Sequence, residues 1–308
     1  LHNEFIEKVQ NDNNQQGHYL PHHSVKKDSV TTPIRIVYDC SCRTRNTPSL
    51  NDCLETGTTF VKDLVAILLR FRTHDIAFTS DIEKAFLHIG LHDDDRNFTK
   101  FLWPSNPHDL DSKFDTYRFK SILFGSTSSP FILDAVLKKH LSQYQSPIAS
   151  TIKNNLYVDN LLTGVNTSQE ALQFYQEART IMLDAGFKLR SWSTNDTKLQ
   201  SIIPTKDHDT AQLVNLLGMK WDTTDDSITY PPPTNTNTPP SSDTPSPRQQ
   251  STPNSATKRS VLQQASTLFD PLGLVSPVHA QAKIFMQELW LRKYTWDESL
   301  DAELSAQW

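Results

Sequence analysis

Two carboxylates on two apolar segments place the tightest limit on how this chain can fold. Residues 154–162 read NNLYVDNLL, an apolar run with Asp159 and Asn160 at its centre. The pair suits the tip of a β-hairpin, because Asp and Asn tolerate turn geometry between two strands. Upstream, residues 76–86 read as a second apolar strand that carries Asp81 near its end. If the two strands are neighbours in one sheet, the two acids converge on one point.

Convergent carboxylates on rigid strands suit a particular chemistry. They can hold two divalent cations about 3.5–4 Å apart, an arrangement that supports in-line phosphoryl transfer. One acidic hairpin alone would more often be a solvated turn. The second acid, Asp81, therefore makes a metal site the sharper prediction.

Composition sets broader limits on the fold and its surroundings. The 308 residues are 36% hydrophobic and 21% charged, enough for one large or two moderate domains. We find no apolar run of membrane-spanning length and no signal-peptide pattern, so secretion is not expected. The first residue is Leu1 and not Met, which suggests a processed or truncated piece of a longer protein.

Charge and cysteine content say less about function. The formal net charge of −5 argues against nucleic-acid binding through bulk positive charge, but it does not exclude a polymerase with a locally basic groove. Three cysteines, Cys40, Cys42 and Cys53, predict thiols in a reducing compartment and not a zinc site.

Apolar periodicity and turn residues predict mixed helices and strands along the chain. The predicted helices are 1–14, 60–72, 131–144, 168–185 (ended by Gly186), 258–269 and 278–294. The predicted strands, besides the two that carry acids, are 34–39, 98–103, 116–124, 187–192, 216–221 and 227–230. Residues 231–257 are dominated by Pro, Ser, Thr and Asn, which predicts a disordered linker.

Two segments resemble motifs of a known family. Residues 79–86, TSDIEKAF, look like the first catalytic motif of reverse transcriptases, and residues 157–160, YVDN, look like their Tyr-x-Asp-Asp box with Asn in the last place. The resemblance extends from about residue 19 to about residue 297, and it is to polyproteins of BEL/Pao-type long-terminal-repeat retrotransposons.

That resemblance implies an α+β, right-hand polymerase fold, in which an antiparallel sheet of the palm carries the catalytic acids. It also implies a partial helical thumb or connection segment. The domains expected on this basis are an N-terminal extension (1–18), fingers and palm (19–230), the linker (231–257) and a truncated thumb or post-polymerase segment (258–308).

The same resemblance implies a set of site residues. The catalytic residues would be Asp81, Asp159 and Asn160. Asp81 and Asp159 would bind two Mg²⁺ ions, with Mn²⁺ as a possible substitute. The nucleotide-binding residues would be Lys27, Arg35, Phe86, Phe124 and Gly125.

Each nucleotide-binding residue has an implied role. Lys27 and Arg35 match basic fingers residues that contact the incoming nucleotide; judged from the residues alone, they would be a solvated basic loop. Phe86 matches the aromatic that blocks a ribose 2′-hydroxyl, and the alternative is a plain core aromatic. Phe124, where many family members carry Gln, and Gly125 belong to a motif that positions template and nucleotide.

Two further segments have implied roles. Residues 187–192 resemble the fourth motif of the family, in which a lysine is a possible proton donor to pyrophosphate. Lys188 and Arg190 both stay open for that role, but the residues themselves favour a surface strand without a catalytic role. Residues 216–230 match the primer grip.

The implied function is RNA- and DNA-templated DNA synthesis by an RNA-directed DNA polymerase, a nucleotidyltransferase. Its partners would be an RNA template, an RNA/DNA hybrid, a primer and dNTPs. Other polyprotein domains, with protease and capsid upstream and ribonuclease H and integrase downstream, would accompany it, in a cytoplasmic virus-like particle. The alternative is a decayed relic that keeps only the fold and nucleic-acid binding, which Asn160 favours. A third reading, an RNA-synthesising polymerase, is opposed by Phe86.

Overall fold

The chain folds into two compact units, residues 1–209 and residues 210–308. The computed structural model describes residues 5–10, 17–26, 34–45, 47–58, 62–109, 111–230, 256–267 and 269–308. The predicted linker therefore lies outside the described residues except for its last two positions. Within the described residues, none of the helices combines the length and the apolar character that crossing a membrane requires.

The described elements are numbered in chain order. The strands are β1 (Ile6–Lys8), β2 (His22–Lys26), β3 (Ile34–Tyr38), β4 (Ile76–Ile82), β5 (Lys100–Pro104), β6 (Phe114–Phe119), β7 (Leu156–Tyr157), β8 (Asn160–Val165), β9 (Leu189–Thr194), β10 (Leu213–Leu216), β11 (Met219–Asp222) and β12 (Ser227–Thr229). The α-helices are α1 (Leu50–Cys53), α2 (Leu64–Phe71), α3 (Ser129–Leu141), α4 (Pro147–Asn155), α5 (Ser168–Asp184), α6 (Thr197–Ile202), α7 (Lys258–Thr267), α8 (Ser276–Leu291) and α9 (Ala302–Gln307). Short 3₁₀ helices span Ala85–His88 and Arg96–Thr99.

A four-stranded antiparallel sheet, in the order β7-β8-β4-β9, forms the centre of the first unit. β4 lies between β8 and β9, and most of its side chains are buried, which explains its near-continuous apolar sequence. In the ladders, Asp81 pairs with Asn160 of β8 and with Arg190 of β9. The prediction that the two acid-bearing segments are neighbours in one sheet is confirmed.

Helices α3, α4 and α5 build the main hydrophobic core together with this sheet. The long predicted helix that became α5 begins with a capping box, in which Thr167 and Glu170 satisfy each other's backbone N–H groups. It ends, as predicted, before Gly186, which has a φ of +76° and terminates the helix in the left-handed conformation. The core includes Phe78, Ile82, Leu133, Leu137, Ile152, Phe174, Ile181 and Trp192.

The N-terminal segment corrects one prediction. Residues 1–14 were expected to form an amphipathic helix, but Ile6–Lys8 form β1, which pairs antiparallel with β6. A short helix is marginal in water, whereas the sheet edge supplies backbone partners and an ion pair of 2.7 Å between Glu7 and Arg118. β1, β6 and β5 make a three-stranded sheet, and β2 and β3 form a separate hairpin.

Several further helices were not predicted, namely α1, α4, α6 and α9. α4 begins at Pro147, after its N-cap Ser146, and it ends in polar residues, so its apolar stripe is short. α6 follows Asp196 in the same way. β9 is also not a surface strand, because Leu189, Trp192, Ser193 and Thr194 are all buried.

The second unit contains a small sheet, in the order β10-β11-β12. Residues 216–221 were predicted as one strand, but Leu217 (φ +49°) and Gly218 (φ +97°) form a turn that separates β10 from β11. A two-residue turn with both φ values positive suits Gly and Asn, and the Leu at its first position concealed it. The predicted hairpin between β11 and β12 is confirmed.

Helices α7, α8 and α9 of the second unit share their own core, formed by Val261, Phe285, Met286, Leu289, Leu300 and Leu304. Lys258 is buried there, with its Nζ 3.2 Å from the Trp290 ring centroid. The predicted structured turn before α8 is held by Asp270, whose carboxylate accepts from the backbone N–H groups of Leu274 and Val275.

Candidate active site

The segment that carries Asp159 is a hairpin of unusual backbone geometry. β7 and β8 pair through Leu156 with Leu161 and through Tyr157 with Asn160. The turn is therefore Val158 and Asp159, one residue earlier than the Asp159–Asn160 tip that the sequence predicted. Val158 has a φ of +56°, which is strained for a β-branched residue and is tolerated where the surroundings enforce it.

Asp81 and Asp159 lie side by side at this turn. The backbone N–H of Ile82 donates to the Asp159 carbonyl over 2.9 Å, which ties the turn to β4. The Asn160 side-chain amide donates to Asp159 Oδ1 over 3.0 Å. Burial first, and then the charge of Asp81, raise the pKa of Asp159. The arrangement therefore concentrates negative charge in a partly desolvated position.

Arg190 of β9 is the cation that faces Asp81. Its Nε donates to Asp81 Oδ2 over 3.2 Å, and its Nη1 lies 3.8 Å from Glu83 Oε1. A β-bulge brings it there, because β9 uses Ser191 and Trp192 where β4 uses only Ser80.

The ion pairs continue away from Asp81 into the core. Lys188 Nζ lies 3.3 Å from Glu83 Oε2 and 3.3 Å from Asp207 Oδ1, and Arg179 Nη2 lies 3.3 Å from Asp207 Oδ2. Asp207 is completely buried. Burial alone would lower the pKa of Lys188, but its bonds to Glu83 and Asp207 reverse this and raise it. Both candidates for a proton donor are thus engaged by carboxylates.

The donor set fits a magnesium ion. Mg²⁺ is usually bound by one or two carboxylates together with substrate phosphates and water, and not by a dedicated protein cage. Asp81 and Asp159 supply two such carboxylates, and the raised pKa of Asp159 means that a nearby cation would be favoured there. The described part of the chain contains no cluster of three or more His, Cys, Asp or Glu suited to a metal.

Two of the predicted nucleotide-binding residues, Phe86 and Phe124, contact each other. Phe86, on the Ala85–His88 turn, contacts Phe124 edge to face, with ring centroids 4.7 Å apart. Phe86 is 8% exposed and belongs to the main core, whereas Phe124 is 51% exposed. Gly125 follows with a φ of +96°, and a Cβ there would lie 3.0 Å from the carbonyl oxygen of Tyr38.

Asn51 is a site residue that the sequence did not reveal. Its side-chain amide donates to the Gly125 carbonyl over 3.0 Å, and its oxygen accepts from the Thr127 N–H over 3.0 Å. A polar residue on the four-residue helix α1 thus holds the turn after Phe124. No spacing rule links positions that far apart in the sequence. The sequence SLND, in which Ser49 caps α1, hinted at an ordered element.

Of the two predicted basic residues, the structure describes one. Arg35 is on β3, paired with Val25 in the separate two-stranded hairpin. Lys27 lies outside the described residues, so its assignment stays a prediction.

Comparison with known proteins identifies the family of this fold. The sequence model described as "Reverse transcriptase (RNA-dependent DNA polymerase)" matches residues 6–220, more than half of the chain. The chain belongs to the reverse transcriptase family. A second model, described as "Pao retrotransposon-like RNaseH-like domain", matches residues 257–308. Together they make the chain the reverse transcriptase region of a BEL/Pao-type retrotransposon, as the motifs predicted. The second description does not name a thumb, so the thumb assignment of 258–308 stays a prediction.

Solved structures of foamy viral protease-reverse transcriptase resemble this reverse transcriptase region. One, the dRH form in complex with double-stranded DNA, has a TM-score of 0.61 and 15% identity, and the match covers 99% of this chain and 44% of that one. Another, in complex with an RNA/DNA hybrid, has a TM-score of 0.52 and 15% identity, covering 91% and 31%. The chain thus spans less than half of either relative, and at this identity the likeness shows the fold alone. It confirms the right-hand polymerase fold. No curated protein sequence matches the chain.

Proposed function

We propose that this reverse transcriptase region performs RNA- and DNA-templated DNA synthesis, with Asp81 and Asp159 as its metal-binding carboxylates. The observation that supports this most is the pair of acids on hydrogen-bonded neighbouring segments, with the Asp159 turn tied to β4 beside Asp81. Membership of the family supports the reaction class, and the position of the acids supports the proposed site.

The residues around the acids have complementary roles in this proposal. Bound Mg²⁺ would promote attack of the primer 3′-hydroxyl on the α-phosphate and neutralise the leaving pyrophosphate. Asp81 and Asp159 would hold the cation, and Arg190 would orient the Asp81 carboxylate through its Nε. Phe86 packs edge to face against Phe124, which would offer its exposed ring to the nucleotide.

The proposed partners are an RNA template, an RNA/DNA hybrid, a primer and dNTPs. The titles of the foamy viral structures name double-stranded DNA and an RNA/DNA hybrid as bound molecules, which supports a nucleic-acid duplex as the partner here. Recognition of an A-like hybrid would rest mainly on backbone and shape.

A primer-extension assay on RNA and DNA templates tests the proposal. We expect Mg²⁺-dependent extension by the native chain and none by Asp81→Asn or Asp159→Asn, since each change removes an anionic metal ligand. Both variants should remain folded by circular dichroism. Extension at the native rate by either variant would refute the site assignment.

Asn160 separates an active enzyme from a decayed relic. Its amide stabilises the charge on Asp159 through a hydrogen bond, and Asn160→Asp would replace that hydrogen bond by repulsion. We expect the native chain to be active and the Asn160→Asp variant to need less Mg²⁺ or Mn²⁺ for half-maximal rate, with lower stability in the absence of metal. A relic would show extension only in the Asn160→Asp form, and equal rates at every metal concentration would show that position 160 takes no part in metal binding.

A further inference from the structure

Two cations from one stretch of chain hold the residues immediately before the catalytic hairpin. Arg70 of α2 donates through Nε to Asn155 Oδ1 over 2.7 Å and through Nη2 to the Asn154 carbonyl over 2.9 Å. Lys62, just before α2, donates to the Leu156 carbonyl over 2.8 Å. The three consecutive residues 154–156 thus each accept a hydrogen bond from Arg70 or Lys62.

The groups that these cations bind belong to a helix end. Asn154, Asn155 and Leu156 form the last turn and C-cap of α4, where carbonyl groups have no partner within the helix. Cations stabilise such an end through the carbonyls and the helix dipole. Asn155 extends the connection, because its buried amide donates to Thr163 Oγ1 of β8 over 3.2 Å. The cations therefore reach both strands of the hairpin.

Packing alone does not fix the hairpin on this side. A cavity of about 190 Å³ lies under it, lined by Gly57, Lys62, Phe131, Tyr157 and Val158 among others. β7 is only two residues long, and the turn that follows contains the strained Val158. Leu156 and Leu161 anchor the hairpin in the main core, but packing is incomplete on the side of the cavity, so polar contacts contribute to the position of the short strand there.

We propose that Arg70 and Lys62 are positioning residues for Asp159. They hold the end of α4, so that β7 places the following turn where Asp159 lies beside Asp81. The inference rests on the proposed DNA synthesis for its kinetic consequence, but its structural consequence can be measured without any substrate.

The variants are chosen to separate positioning from general stability. Arg70→Gln removes both hydrogen bonds of the guanidinium, and Arg70→Lys keeps the charge but loses the two-pronged geometry. Lys62→Met removes the other contact, and Lys62→Arg restores a donor. Lys139→Gln, on the exposed side of α3, is the matched control for loss of one surface charge.

Hydrogen exchange on the protein without nucleic acid is the first measurement. The amide of Ile82, which donates to the Asp159 carbonyl, and the β7 and β8 amides should lose protection in Arg70→Gln and Lys62→Met. The amides of β9, on the far side of β4, should retain it, as should all amides in Lys139→Gln. Unchanged protection of the hairpin, or an equal loss in β9, would overturn the inference.

Single-nucleotide incorporation is the second measurement. We expect kcat to fall about 10- to 100-fold in Arg70→Gln with little change in KM for the nucleotide, since small misplacements of reacting groups are costly. Arg70→Lys and Lys62→Arg should recover part of the loss. A rise in KM with kcat unchanged would contradict positioning of Asp159. If the native chain extends no primer, the proposed function fails, and hydrogen exchange alone decides the inference.

Discussion

Asp159 is a carboxylate whose folded environment opposes its charge. Burial and the neighbouring Asp81 raise its pKa above the ordinary 3.8. In the metal-free protein the ionised form therefore destabilises the folded state. This penalty is complete when the pH is above the pKa of Asp159 in the folded state. The penalty declines as the pH falls through that pKa and is lost below 3.8, because the group is then neutral in both states.

Asp159→Asn should consequently be more stable than the native chain at pH 7, and the difference should vanish below pH 3.8. Urea unfolding with a chelator present, repeated from pH 7 downwards, measures this. Asp81→Asn is the contrast: it loses the ion pair with Arg190 and should gain no stability. A native chain that is more stable than Asp159→Asn at pH 7 would contradict the electrostatic account.

Phe86 combines two roles that the sequence presented as alternatives. It is buried in the main core and also touches the exposed Phe124 ring. We predict that Phe86→Val both lowers stability, by less than the roughly 3–5 kcal/mol typical of Phe→Ala, and raises ribonucleotide incorporation relative to deoxyribonucleotide. Phe174→Val, a similarly buried truncation on α5, should lower stability without changing the ratio. Equal ratios in both variants would make Phe86 a core residue only.

The elements were predictable where one periodic pattern dominated. α5, β4 and β8 follow from apolar spacing and a glycine stop, and the meeting of Asp81 with Asp159 follows from β4 and β8 being neighbours. The elements that depend on distant partners were not: residues 6–8 become a strand only because β6 offers an edge. Asn51 and Arg70 act across long sequence separations, which no local pattern encodes.

Two glycines with the same backbone angle predict different costs of substitution. Gly57 and Gly186 both have a φ of +76°. A Cβ on Gly186 meets nothing within 4 Å, whereas one on Gly57 would lie 2.3 Å from the ring of Phe131. Gly186→Ala should therefore cost only the left-handed strain, about 1–2 kcal/mol. Gly57→Ala should cost more and push Phe131 toward the cavity under the hairpin. Chemical denaturation of both variants measures the difference, and equal losses would show that Phe131 moves freely.

The molecule has separate hydrophobic cores in its two units. The core of the first unit is built on β4 and its helices, and that of the second on α7, α8 and α9. Composition predicted room for two domains, but the division between residues 209 and 210 falls in ordinary sequence that carries no compositional mark. The boundaries expected at 18, 230 and 257 stay predictions.

Leu289→Ala should act within the second unit. Leu289 is completely buried among Val261, Phe285 and Leu304, so truncation should remove about 2–5 kcal/mol of local stability. Hydrogen exchange should show faster exchange in α7 and α8, with the amides of β4 unchanged. Ile152→Val, in the core of the first unit, is the reciprocal control. Equal acceleration in both units by Leu289→Ala would mean that they unfold as one.

The bulge of β9 also determines how the length of this strand can vary. In an unbroken ladder, Ser191 would lie opposite Asp81, and the positive charge of Arg190 would be displaced by one position. Deleting Ser191 would let Arg190 close up into an unbroken ladder and remain opposite Asp81, and it would remove a residue with a φ of +51°. Deleting Ser193 would instead place Trp192 opposite Thr79 and turn its ring to the other face of the sheet. β9 thus carries a spare residue, and a chain one residue shorter at Ser191 would still present its guanidinium to Asp81.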